Sequence, residues 1–349
     1  MTRHHIGFFP GGRHSGSAPR SAGGCNDRRH VAQAASSGYT RVVLVKCKGL
    51  TFGYGGEPVL DGIEFELGAG CIGLLGANGA GKTTLIRCLL GLVPIPPHRI
   101  EVLGYDPATR PLGLRQKVGY MPERPALVGG LNAFETVVVC ARLCGLPDRA
   151  ARSRAHEVLG FVGIGEERYR SAEGYSTGML QRLMLACTLV HGPGLVVLDE
   201  PTVGLDPRAR QQVLELVEQI VAGGEASVIL STHLLRDVER LCDQLLVLEG
   251  GSVTYAGGTR KFLESRAETI ELKVKHSAAD FARVLEGKGA EVQVLHDGSL
   301  VVRGVEPGLV WRLALESGVQ VRRLSPVSTG FERSLEGLFG SAAGRESRP

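Results

Sequence analysis

The chain has 349 residues, 43% of them hydrophobic and 22% charged, with a formal net charge of +4 at pH 7. That length holds one large domain or two modest ones with ample core. The charge is concentrated: residues 1–45 carry six arginines against the single acid Asp27, so the remainder sums to −1. A nearly neutral body does not imply a basic face for nucleic acid.

No run of about 18 apolar residues is available to span a bilayer, and the first residues lack the apolar stretch of a secretory signal. Eight cysteines are scattered without a C-x-x-C pair, most of them inside apolar runs. They read as reduced, buried thiols. Cys140 and Cys144 stand one helical turn apart, but two thiols alone do not make a metal site.

Residues 1–42 are rich in Gly, Ser, Ala, Arg and His without hydrophobic periodicity. They read as a disordered basic tail or a mis-assigned start. Pro10, Gly11 and Gly12 would break the amphipathic helix of a transit peptide. Strands are expected at 43–48, at 62–67 and in Cys71-Ile72-Gly73-Leu74-Leu75. The last leads into Gly76-Ala77-Asn78-Gly79-Ala80-Gly81-Lys82-Thr83, the G-x-x-x-x-G-K-[ST] phosphate loop. Its glycines let the backbone wrap an anion with N–H groups pointing inward. Lys82 is placed to reach the β- and γ-phosphates, and the Thr83 hydroxyl to ligate Mg²⁺. A helix from Thr84 to Leu92 turns its positive dipole end to the same phosphates.

Residues 124–186 read as helical, with helices over 133–144 and 149–162. Buried strands return at 195–198, 227–231 and 244–249, so strands alternate with helices as in a mainly parallel α/β sheet. After Gly258 the pattern changes. A strand at 269–276, a helix at 278–286, a hairpin of 291–295 with 300–303, a helix at 309–316 and a strand at 320–324 make a β-α-β-β-α-β, ferredoxin-like order. The expected domains are 43–260, with a helical subdomain at about 124–186, and 265–340.

The strand Leu195-Val196-Val197-Leu198-Asp199-Glu200 is a Walker B pattern. It delivers Asp199 to the Mg²⁺ shell and Glu200 to the attacking water. Between the two Walker segments lies Tyr175-Ser176-Thr177-Gly178-Met179-Leu180-Gln181-Arg182. Here the chain resembles the ABC transporter ATP-binding subunits, whose signature is usually written L-S-G-G-Q. Ser176 and Gly178 match it, while Thr177 and Met179 depart. The variant is similar to the branch that pairs with separately encoded export-type permeases.

The resemblance extends strongly over residues 45–258 and implies a P-loop NTPase core with an antiparallel β edge. It assigns Tyr54 to stacking on adenine, Asp206 of Val203-Gly204-Leu205-Asp206 to the dimer seam, and His233, which closes a strand, to the γ-phosphate. Where the family carries a glutamine that contacts Mg²⁺, this chain has Glu123; a carboxylate oxygen still ligates the metal but adds negative charge near the γ-phosphate. The ending Ser334-Leu335-Glu336-Gly337-Leu338-Phe339 resembles the family's C-terminal Leu-Glu-x-x-Phe.

The resemblance implies ATP and Mg²⁺ as cofactors and a homodimer with two ATPs between its subunits. It also implies a separate transmembrane permease as partner and a peripheral place on the inner face of the cell membrane. The segment 124–144, with Leu127, Leu131 and Phe134, is the expected permease contact. An importer subunit, or a non-transport ATPase of ribosomes or DNA, are the alternatives.

Overall fold

Val, Ile and Leu runs bounded by glycines alternate with amphipathic stretches, and the chain folds accordingly. The computed structural model describes residues 43–124, 129–267, 269–295 and 297–326. The basic segment 1–42, Leu127 and the 334–339 ending lie outside the described residues. In order come β1 (Val43–Phe52), β2 (Leu60–Gly68), β3 (Cys71–Gly76), α1 (Lys82–Leu89), β4 (Ile100–Val102), α2 (Pro111–Arg115) and β5 (Val118–Met121). Next are α3 (Ala133–Leu143), α4 (Asp148–Phe161), α5 (Thr177–Leu189), β6 (Leu195–Asp199), α6 (Pro207–Gly223), β7 (Ser227–Thr232), α7 (Leu235–Leu241), β8 (Gln244–Glu249) and β9 (Ser252–Gly258). Then follow α8 (Thr259–Ala267), β10 (Thr269–Val274), α9 (Ala278–Glu286), β11 (Glu291–Val294), β12 (Leu300–Arg303), α10 (Pro307–Glu316) and β13 (Val321–Pro326).

These elements form two compact units interleaved along the sequence. Among the described residues, the first comprises 43–48, Glu64–Cys71 and the described part of Arg87–Ile229. In it β1 runs antiparallel to β4, with Val45 opposite Val102 and Cys47 opposite Ile100. β5 runs parallel to β6, Val118 beside Leu195 through Met121 beside Leu198. Every residue of β6 is buried, which suits a central parallel strand covered on both faces. Helices α3, α4 and α5 pack on one another, burying Val137, Val158, Leu159 and Leu183. Asn132 starts α3 with a capping box, its side chain accepting from the Glu135 N–H while Glu135 accepts from the Asn132 N–H. That satisfies two backbone donors a helix end would otherwise leave exposed.

Among the described residues, the second unit comprises Gly49–Ile63, Ile72–Ile86 and the described part of 230–326. β3 and β8 run parallel, Ile72 beside Gln244 through Gly76 beside Leu248; β9 pairs antiparallel on β8 as an edge. The C-terminal part is a separate four-stranded sheet, order β11-β12-β10-β13, with all its pairs antiparallel. Its core gathers Leu272, Phe281, Leu285, Leu300, Val302, Val310 and Leu313 from strands and both helices. This is the β-α-β-β-α-β arrangement expected from the sequence.

Candidate nucleotide site

The phosphate loop lies where β3 ends and α1 begins. Two glycines are required there by space, and Gly81 by its dihedral angle as well. A Cβ on Gly76 would stand 2.7 Å from the Leu248 carbonyl oxygen, and one on Gly81, at φ +100°, 2.8 Å from Leu60 Cδ2. Real Cβ atoms do not approach so closely, so the loop is seated against its neighbours by the absence of side chains. Lys82 is buried, and its ammonium donates to the Gly76 carbonyl at 2.7 Å and the Ala77 carbonyl at 3.1 Å. Asn78 and Gly79 are exposed at the loop's tip, Ala80 and Thr84 are buried, and Thr83 is half-buried in the first turn of α1. That turn offers N–H groups to an anion.

Two further predicted residues belong to the same unit. Tyr54, two residues past β1, is 57% exposed and meets Phe52 edge-on at 5.1 Å. An exposed aromatic face suits stacking on a planar base. His233 follows the fully buried β7 and is itself half-buried. The chain turns there because the Leu234 N–H donates to Thr232 Oγ1 at 3.0 Å.

The first unit holds the acids. Since Met121 lies beside Leu198, Glu123 and Glu200 leave the same carboxyl end of neighbouring parallel strands. This is the end at which α/β sheets place their ligands. Asp199 and Glu200 are buried, Glu123 exposed. Glu200 sits at φ +49°, in the left-handed region, though it is not glycine. Such a residue carries about 1–3 kcal/mol of backbone strain, and strain of this kind collects at functional positions. The sequence offered no sign of it. Tyr120, between the acids, is a second residue that motif reading passed over. Burial pushes its phenol up to about 12, and the Asp199 and Glu123 carboxylates add to the shift while Arg87 opposes it.

These carboxylates fit a divalent cation. Among the described residues no group of three His, Cys, Asp or Glu is close enough to hold a metal unaided. Mg²⁺ characteristically takes one or two carboxylates and completes its shell with water and substrate phosphate, so the donor set is of the right kind.

The signature residues begin α5. Ser176 is its N-cap, accepting from the Met179 N–H at 3.3 Å, with Thr177 as the first helical residue. Asp206 caps α6 in the same way, accepting from the Arg208 and Ala209 N–H groups, both at 2.9 Å. A Cβ on Gly178 would stand 2.8 Å from Ala209 Cβ, so this glycine is what lets the starts of α5 and α6 lie together. Phe134 is half-buried, its ring 4.4 Å from that of His156 and 6.1 Å from that of Tyr169. It packs against the helical part while keeping part of its surface exposed.

The family model described as ABC transporter matches residues 60–203. The linearmycin resistance ATP-binding protein LnrL of Bacillus subtilis is 33% identical over 76% of this chain and 96% of its own length. The chain belongs to the ABC transporter ATP-binding proteins. The Nod factor export ATP-binding protein I of Rhizobium meliloti is 34% identical over 69% of this chain and 73% of its own length. Among solved structures, cbiO1 from Clostridium perfringens, part of the ABC transporter complex cbiONQ, matches with a TM-score of 0.59 and 25% identity, over 71% of this chain and 98% of its own. An ABC ATP-binding subunit of this export-type branch binds and hydrolyses ATP for a transporter. Among the described residues no helix is long and apolar enough to cross a membrane.

Proposed function

We propose that this subunit drives export through a separately encoded permease, working as a homodimer on the inner face of the membrane with Mg²⁺-ATP as fuel. The observation that carries this reading is the pairing of a single phosphate loop at Gly76–Thr83 with a single signature at Ser176-Thr177-Gly178. One motif set supplies half of each composite site, so two copies are needed. The export-type names of relatives a third identical support the direction.

In the proposed reaction, ATP sits with its adenine on Tyr54 and its phosphates in the N–H groups of Gly76 through Thr84. Water attacks the γ-phosphorus in line with the leaving ADP oxygen, giving ADP and phosphate. Glu200 orients that water and takes its proton. Lys82 offsets the charge of the β- and γ-phosphates, and His233 hydrogen-bonds the γ-phosphate. Thr83, Asp199 and Glu123 are the residues that would hold Mg²⁺, which when bound neutralises charge on the phosphate oxygens. Ser176, Thr177 and Gly178 serve the ATP of the other subunit, and Asp206 the seam between subunits.

Mixing tests the reading. A Lys82→Ala subunit and a Ser176→Arg subunit, each inactive alone, combine into a dimer with both lesions in one site and none in the other. Activity is expected to return to a substantial fraction of wild type. Proven mixed dimers that stay inactive would overturn the composite site. Co-purification with a membrane protein encoded by a neighbouring gene, and ATP-dependent transport out of or into vesicles, test partner and direction.

A further inference from the structure

Two connections of the C-terminal sheet domain meet at one end of its sheet. Residues 275–277 lead from β10 into α9, and residues 317–320 lead from α10 into β13. The Lys275 N–H donates to the Gln320 carbonyl at 2.9 Å and joins the two. Here lies a cavity of about 510 Å³, with Lys275, His276 and Asp280 on its polar side and Phe281, Val284 and Val319 on its apolar side. Phe281 belongs to the domain core and Val319 packs against that core, so the apolar wall is held in place. Small-molecule sites have this size and this mixture, about 300–1,000 Å³ of largely apolar wall with a few convergent polar groups. The nucleotide motifs end at His233 and contribute nothing to it.

We propose that this cavity is a binding site for a small organic anion, a carboxylate or phosphate ester that carries an apolar chain or ring. The sign of the charge follows from which polar groups are already engaged. At the end of α10 the carbonyls of Leu313, Ala314 and Leu315 accept from the N–H groups of Ser317, Val319 and Gly318, at 2.9, 2.8 and 3.2 Å. The Gln320 carbonyl takes the Lys275 N–H, and the Asp280 carboxylate is paired with Arg283, one turn along α9, at 3.2 Å. Each of these acceptors therefore has a donor.

The donors are the groups left over. Lys275 and His276 are exposed, and among the described residues neither is ion-paired. Ser277, the N-cap of α9, closes no side-chain hydrogen bond onto the first turn, and the N–H groups of such a turn carry the positive end of the helix dipole. With Asp280 neutralised by Arg283, the Lys275 ammonium leaves the cavity positive, which favours an anion. The wall adds the second requirement. Val284 is 36% exposed beside the cavity, so a ligand with an apolar portion gains by covering it.

The full-length chain is titrated calorimetrically with phenylbutyrate and with phenyl phosphate, with Mg²⁺-ADP present in excess to fill the phosphate loop. Phenylbutylamine, acetate and inorganic phosphate are the comparisons. At least one of the two aromatic anions is expected to bind once per chain, about tenfold or more tighter than the amine and than the bare anions. The tighter of the two identifies the head group. Lys275→Glu should weaken that binding about tenfold or more, while Mg²⁺-ADP affinity and the denaturation midpoint stay as in wild type, since Lys275 is exposed. Trp311→Ala should leave the anion bound, because the exposed Trp311 and Leu315 are not part of the cavity wall. No binding by either aromatic anion, an amine that binds equally well, affinity that survives Lys275→Glu, or affinity lost with Trp311→Ala instead would each overturn the proposal.

Discussion

Glycine does two different jobs in two regions of this molecule. In the segments that carry the nucleotide motifs it makes room. A Cβ on Gly119 would stand 2.3 Å from the Thr188 carbonyl oxygen, and on Gly251 2.4 Å from the Val59 carbonyl oxygen. In the C-terminal sheet domain the glycines only turn the chain: Gly298, at φ +78°, has nothing within 4 Å of where its Cβ would be. The first region has been packed until backbone touches backbone, as a site that must hold loops to fractions of an ångström requires. The second is an ordinary two-layer domain whose turns have slack. It also leaves Trp311 and Leu315, one helical turn apart on α10, exposed.

The largest expected contrast is chemical. Glu200→Gln is nearly isosteric and should leave ATP binding intact while slowing hydrolysis about 10²–10⁴-fold, the usual worth of a positioned base. It should also accumulate the ATP-bound dimer. Trp311→Ala, a far larger change in the other region, should leave basal ATP turnover within about twofold. Equal losses from the two variants, or wild-type hydrolysis by the first, would break the division of labour.

Next comes the packing contrast itself. Gly119→Ala pushes a methyl group into a backbone carbonyl of α5, which no rotamer relieves. Overpacking of this kind costs about 3 kcal/mol, visible as a lowered denaturation midpoint. Gly298→Ala meets only its dihedral angle and should cost about 1 kcal/mol. The two substitutions are chemically identical, so the difference between them sets a clash with backbone at Gly119 against a dihedral cost at Gly298. Comparable midpoints would show that the first region yields where Gly119 meets α5.

How much of this was legible follows the same distinction. The phosphate loop and the Walker B strand were readable because their chemistry is local: eight consecutive residues carry the anion cradle, and a hydrophobic run ends in two acids. The ferredoxin-like order was readable from alternation and the Asp297-Gly298 turn. The demand for glycine at 119 was not, since its partner Thr188 is far along the chain. Nor was the strained backbone of Glu200, which no residue type announces. β4 has only three residues, too few to display a period of two. β1 runs on to Phe52 beyond the expected end because Gly49, at φ +60°, interrupts the pattern without ending the strand. α6 could have been found: Asp206 followed by Pro207 is a strong helix start. The resemblance drew attention to Asp206 as a seam residue instead.

The smallest expected effect sharpens the comparison through pH. His191 follows the C-cap of α5 in the crowded first unit, and it is held below the usual imidazole range, by burial above all and by the Arg154 cation. In the unfolded chain the same imidazole titrates near its ordinary value, about 6.5. Because the folded value is the lower one, the native state refuses a proton that the unfolded state accepts. The stability from keeping His191 neutral is therefore complete above about pH 6.5 and is lost as pH falls from there toward the folded value. A single proton limits the slope to about 1.4 kcal/mol per pH unit. His191→Gln cannot take the proton, so its melting temperature should fall less than that of wild type between pH 7.5 and 5.5. If the two fall in parallel, the crowding around α5 does not extend to this imidazole, and the acid sensitivity of the fold arises elsewhere.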